Sequence, residues 1–145
     1  MGMKFKIQID AKPDEVFGYA SDVARHGEWS TGGLQAQKMS DGPIGKGSTF
    51  STTQKFAGKP ASSVVTIRDY EPPSRFKFAA VQGKGTFIHT LTFEPSAEGT
   101  LVTREIDREN ASPFAILGLV FYPAIRADVM KGLRGLKSKI EGGAR

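Results

Sequence analysis

Two side chains in the second half of the chain could do chemistry together: His89 and Arg104. His89 falls in the alternation Phe87, His89, Leu91, Phe93, and Arg104 falls in Val102, Arg104, Ile106. In a strand, alternate side chains leave by the same face, so each polar residue shares a face with apolar neighbours. If the two runs pair with Phe93 opposite Val102, then Leu91 faces Arg104 and His89 faces Ile106. His89 and Arg104 become diagonal neighbours within side-chain reach. An imidazole there can donate to a ligand or move a proton near neutral pH. A guanidinium on an apolar face is costly unless it meets an anion or several acceptors, and a carboxylate or phenolate would fit its fork. Two plainer readings stay open. A register slip or bulge would turn Arg104 to solvent, and His89 would be a satisfied core histidine.

The same parity argument places Thr52 and Gln54 with Phe50 and Phe56 on a second strand. They would add hydrogen bonds inside a cavity, or simply reflect ordinary strand polarity. Phe50, Phe76, Phe78 and Leu91 serve either as apolar ligand contacts or as plain core. The apolar run ending in Phe121 could form a wall or an entrance. The candidate ligand-contacting residues are thus His89, Arg104, Gln54, Thr52, Phe50, Phe78, Leu91 and Phe121, with His89 also the one catalytic candidate. Asp22, His26 and Glu28 could be drawn as a metal trio, but helix capping and surface exposure account for them, so no metal and no cofactor is expected. Gly83-x-Gly85 reads as a hairpin turn, because no helix follows to offer its N-terminus to phosphate. No G-x-S-x-G elbow is present, and the lack of cysteine excludes thiol chemistry and disulfides.

The elements that must position these residues follow from punctuation and period. Phe5, Ile7 and Ile9 alternate as a strand. Pro13 suits a first helical turn, and Asp14 and Glu15 complement its dipole. Asp22 reads as the N-cap of a second short helix that Gly27 limits and that ends near Trp29, a packing anchor. Turn residues then separate six extended runs: 34–40, 48–57, 62–70, 75–81, 86–93 and 101–107. A long helix follows Ser112-Pro113. Ile125, Val129, Leu133, Leu136 and Ile140 form its apolar stripe; Arg126, Lys131, Arg134 and Lys137 lie away from it, and Pro123 should bend it.

At 145 residues, 39% hydrophobic and 24% charged, the chain fits one domain, 1–145, with room for a core. A net charge of +5 favours acidic partners, but the basic residues are scattered rather than gathered on one face, so nucleic acid is not expected. The longest apolar run is about half of what a membrane span needs, and the first residues lack a signal-peptide core. A cytoplasmic protein, monomer or homodimer, without membrane insertion, is the expectation.

Particular residues carry a family resemblance. Ile9-Asp10-Ala11-x-Pro13-x-Glu15-Val16-Phe17 is followed by Ser21-Asp22-Val23 through His26 to Trp29. Then come Gly45-x-Gly47, Tyr70-Glu71-Pro72-Pro73-Ser74-Arg75-Phe76, and Phe93-Glu94-Pro95 before Gly99-Thr100-Leu101-Val102-Thr103. In this order the chain resembles the START-like, or SRPBCC, superfamily, and within it the polyketide cyclase/dehydrase family. The resemblance implies an α+β helix-grip fold: a curved seven-stranded antiparallel sheet around a long C-terminal helix, with two short helices after strand 1. It also implies an internal cavity for a hydrophobic or amphipathic small molecule, but no particular reaction. Family members often carry an aromatic or apolar residue where Arg104 stands.

Three functions are compatible with these features. The first is a binder or carrier of an amphipathic small molecule, with an anionic group where Arg104 faces it. The second is a cyclase or dehydrase in which His89 moves protons and Arg104 stabilises an enolate. The third is a co-chaperone-like interaction module using the basic helix face.

Overall fold

A computed structural model describes residues 3–56, 58–82, 85–109 and 122–143. Its elements are β1 (Met3–Ile9), α1 (Pro13–Ala20), a 3-10 helix (Val23–Glu28), β2 (Gln35–Lys38), β3 (Thr49–Phe56), β4 (Lys59–Glu71), β5 (Arg75–Gln82), β6 (Gly85–Ser96), β7 (Gly99–Glu109) and α2 (Tyr122–Glu141). The strands form one seven-stranded sheet in the order β1-β7-β6-β5-β4-β3-β2, every pair antiparallel. The sheet, the short helices and the long C-terminal helix make the helix-grip fold.

Alternation decides which residues face the helices. Phe5 and Ile9 of β1, Phe76 and Phe78 of β5, Leu91 and Phe93 of β6, and Val102 and Ile106 of β7 are all buried. Burying apolar surface is the main favourable term in folding, at about 25 cal/mol per Å², so this face sets the register of every strand. In α2 the buried positions are Val129, Gly132, Leu133, Leu136 and Ile140. This is the expected stripe with Gly132 added, and Ile125 is half-buried beyond its end. Lys137 is tethered rather than free: it donates to the Gln8 carbonyl and pairs with Glu141, which also accepts from the Asp10 N–H.

The glycines of α2 let it come close to its support. A Cβ on Gly135 would lie 2.7 Å from the carbonyl oxygen of Trp29, nearer than carbon can approach. Trp29, 4% exposed, therefore anchors the end of the 3-10 helix against α2, as its apolar bulk implies. Gly27 has a similar reason for its type, since a Cβ there would meet the Leu34 carbonyl oxygen at 2.2 Å.

Several local expectations need correction. The second short helix is a 3-10 helix, and Asp22 sits at its N-cap position without any capping hydrogen bond from its side chain. His26 is not on the surface: it is 6% exposed and packs edge-on against Trp29. Neighbouring aromatic rings left no polar pattern in the sequence to reveal this. β4 begins at Lys59, so Lys59 and Pro60 continue the ladder with β3 rather than forming its turn. Pro95 likewise stays within β6, opposite Thr100. The start of the last helix after Pro113 and Phe121 fall on segment 110–121, which lies outside the described residues; Pro123, where a bend is expected, stands as the second residue of α2, in its first described turn.

Candidate ligand-binding site

Between the sheet and α2 lies a cavity of about 510 Å³. That is within the roughly 300–1,000 Å³ usual for small-molecule sites. Its walls come from far-apart segments: Met3, Phe87 and Ile106 from the sheet, Ile125, Val129 and Gly132 from α2. Exposed Lys59 and Pro60 line its outer end. A second lobe of about 130 Å³ adjoins it, and the two share Ser30, Gln54, Gln82, Phe87, His89 and Arg104. The smaller lobe is the more polar, adding Thr52, Ser63 and His26 to its wall.

His89 and Arg104 stand where the lobes meet. β6 and β7 pair with Phe93 opposite Val102, Leu91 opposite Arg104 and His89 opposite Ile106. The alternation of Phe87, Leu91 and Phe93 with Val102 and Ile106 puts these side chains on one face, and the hairpin closure at Ser96 and Gly99 sets the register. Arg104 Nη2 donates to His89 Nδ1 at 3.0 Å. A guanidinium has donors only, so Nδ1 must be the acceptor and the His89 proton sits on Nε2. The ring also stacks on Phe78, with centroids 4.7 Å apart and planes 4° from parallel. Two neighbours thus fix the orientation and the tautomer of His89.

The electrostatics follow from this enclosure. Both residues are half-buried and line the cavity. Burial, then the Arg104 charge and then His26, hold the His89 imidazole well below the usual histidine range. Burial also lowers Arg104 to about 10, with Asp128 acting in the opposite direction. Arg104 remains a cation at neutral pH, and its buried Nε–H has no hydrogen-bond partner among the described residues. Leaving a donor of a charged group unpaired costs about 1–3 kcal/mol or more.

Two further residues belong to the site. His26 lies on the smaller lobe, its Nε2 donating to the Ala20 carbonyl at 2.7 Å, and burial brings it down to about 4. Asp128 of α2 lies on the larger lobe and accepts from the Thr31 hydroxyl at 2.6 Å. Sequence reasoning did not place either one there. The only signal for Asp128 was an acid one residue before Val129 of the buried stripe.

The structure separates the other candidates. Gln54 and His89 line both lobes, and Thr52 and Phe78 line the smaller, inner one. Thr52 is tied to the Ser63 hydroxyl across β3 and β4. Phe50 and Leu91 face the same way but are packed in the core, both 1% exposed, and line neither lobe. Phe121 lies outside the described residues.

Residues 3–141 match the family model described as "Polyketide cyclase / dehydrase and lipid transport". The chain belongs to this family. Among its relatives is Toxin Rv0910 of Mycobacterium tuberculosis, 22% identical over 137 residues that cover 94% of this chain and 95% of that one. Among solved structures, TTHA0849 from Thermus thermophilus is similar over the full length of both chains, with 17% identity and a TM-score of 0.80. The di-domain ARO/CYC StfQ of the steffimycin biosynthetic pathway is also similar, with 16% identity and a TM-score of 0.78. That match covers 99% of this chain and 51% of StfQ. At such identity the likeness of this polyketide cyclase/dehydrase family member to those structures is one of fold. Among the described residues, no helix is long and apolar enough to cross a membrane.

Proposed function

We propose that this protein binds or carries a hydrophobic or amphipathic small molecule in the cavity between the sheet and α2. Arg104 and His89 would serve as its polar anchors. The observation that carries this reading is the Arg104 guanidinium at an apolar-walled cavity, holding a neutral histidine and keeping its own Nε–H unpaired. Such a charge is hard to justify as a stabilising element, because desolvation there exceeds what one hydrogen bond returns.

The cyclase or dehydrase reading is supported by the family and by the likeness to StfQ. It requires a group that takes up a proton. His89 offers an Nε2–H and has its other nitrogen engaged by Arg104, so donation suits it better than acceptance.

Native mass spectrometry of protein purified under gentle conditions tests the carrier reading. The expected spectrum contains a species heavier than the chain by a small-molecule mass, and denaturation releases that mass. A spectrum of bare chain that also fails to acquire any added medium-chain amphiphile would overturn it.

A further inference from the structure

Resting on that reading, we infer that the ligand of this cavity carries a carboxylate-like anionic head, seated against Arg104 and His89, with its apolar body directed toward Met3, Ile125 and Val129. The cavity is chemically polarised. Both lobes share Gln54, Phe87 and the His89–Arg104 pair; the smaller, inner lobe adds Thr52, Ser63 and His26, whereas the larger, outer lobe adds Met3, Ile106, Ile125 and Val129. An amphiphile whose head lies inward matches both ends, and the solvated Lys59 at the outer end is the weaker competing cation.

The donors at that inner end select the head. Arg104 Nε–H has no partner among the described residues, and the His89 proton is placed on Nε2 by the bond that its Nδ1 accepts from Arg104. A carboxylate has only acceptors and can take charge-assisted hydrogen bonds from both. A neutral hydroxyl offers weaker acceptance, and an ammonium would place a second cation beside Arg104. The nearby charged and titratable groups come from five elements: His89 on β6, Arg104 on β7, His26 beside them on the 3-10 helix, Asp128 on α2, and Lys59 of β4 at the exposed outer end. Of these only Asp128 is an anion, it already accepts from Thr31, and no ion pair among the described residues joins it to Arg104. Asp128 therefore opposes an anionic head at long range without occupying the guanidinium.

Isothermal titration with decanoate, decanol and decyltrimethylammonium at pH 7.5 separates the possibilities. The expected order is decanoate tighter than decanol by roughly 10–100-fold, the range for a hydrogen bond to a charged group, with the ammonium weakest. Arg104→Met should abolish the preference while leaving decanol within about threefold, and Asp128→Asn should tighten decanoate roughly two- to fivefold as a repulsive charge is removed. Equal affinity for decanoate and decanol in the wild type overturns the head assignment while leaving the cavity reading intact. If none of the three probes binds, the cavity reading falls. Should Arg104→Met fail to fold, the wild-type ratio and the Asp128→Asn shift still decide the matter: a looser decanoate complex in Asp128→Asn counts against the assignment.

Discussion

Arg104→Met is expected to raise the stability of the free protein while weakening its grip on an anionic ligand. Arg104 is a cation drawn out of water, with one hydrogen bond to His89 Nδ1 and a buried Nε–H left unpaired. Methionine fills similar space beside Phe5 and Leu91, the residues paired with Arg104 on the neighbouring strands, and has nothing to desolvate. Replacing buried charge by a well-packed apolar side chain is often stabilising by about 1–4 kcal/mol. His89 loses a partner, which offsets about 1 kcal/mol of that gain. A net rise of up to about 3 kcal/mol is expected, or up to roughly 10 °C in Tm for a chain of this size. Equilibrium urea unfolding of both proteins measures it. A loss of about 2 kcal/mol or more in the variant, the scale of a broken buried network, would mark Arg104 as a structural group and remove the chief reason for assigning it to a ligand.

The second large effect is acid sensitivity in a window where carboxylates contribute little. Burial holds His26 at about 4 and His89 well below its ordinary value, so both are neutral in the fold. In the unfolded chain each binds a proton near pH 6.5. Where the unfolded state binds more protons, stability falls as pH falls. The contribution is therefore intact above about pH 6.5 and declines from there toward pH 4. For His26 the full decline is about 3 kcal/mol, taken from the separation of the two values. Its environment explains the size: the ring lies near Trp29, Phe76 and Phe78, where an added charge is poorly solvated. The chain has two histidines, so the drop between about pH 6.5 and 4.5 belongs chiefly to them. Urea midpoints at pH 7.5, 6.0 and 4.5, together with ring-proton NMR titration, check this. A ring titrating near 6.5, the ordinary histidine value, in the folded protein would contradict it.

The register that joins His89 to Arg104 was legible as one of the pairings that apolar alternation on β6 and β7 allows; alternation fixes the shared face, and the tight closure at Ser96 and Gly99 sets which pairing forms. Alternation reports which face a side chain takes, but not how deep it lies along that face. This is why Phe50 and Leu91 share parity with Thr52 and His89 yet sit in the core rather than on the cavity wall. His26 escaped because its neighbours Asp22 and Glu28 resemble a solvated helix end. Its burial comes from contacts with β5 that local sequence does not encode. Asp128 escaped for a related reason, since its partner Thr31 lies 97 residues away. The strand order and the helix stripe depend on short-range pattern, whereas the site depends on which distant faces meet.

The central claim, that Arg104 holds the head of a bound amphiphile, is tested most directly by the Nε–H resonance of Arg104 in nitrogen-15-labelled protein. Assignment by comparison with Arg104→Met identifies the signal. Adding decanoate should move it downfield and slow its exchange with water as the unpaired Nε–H acquires an acceptor, while decanol should leave it nearly unchanged. Decanoate that binds without moving this resonance would contradict the account.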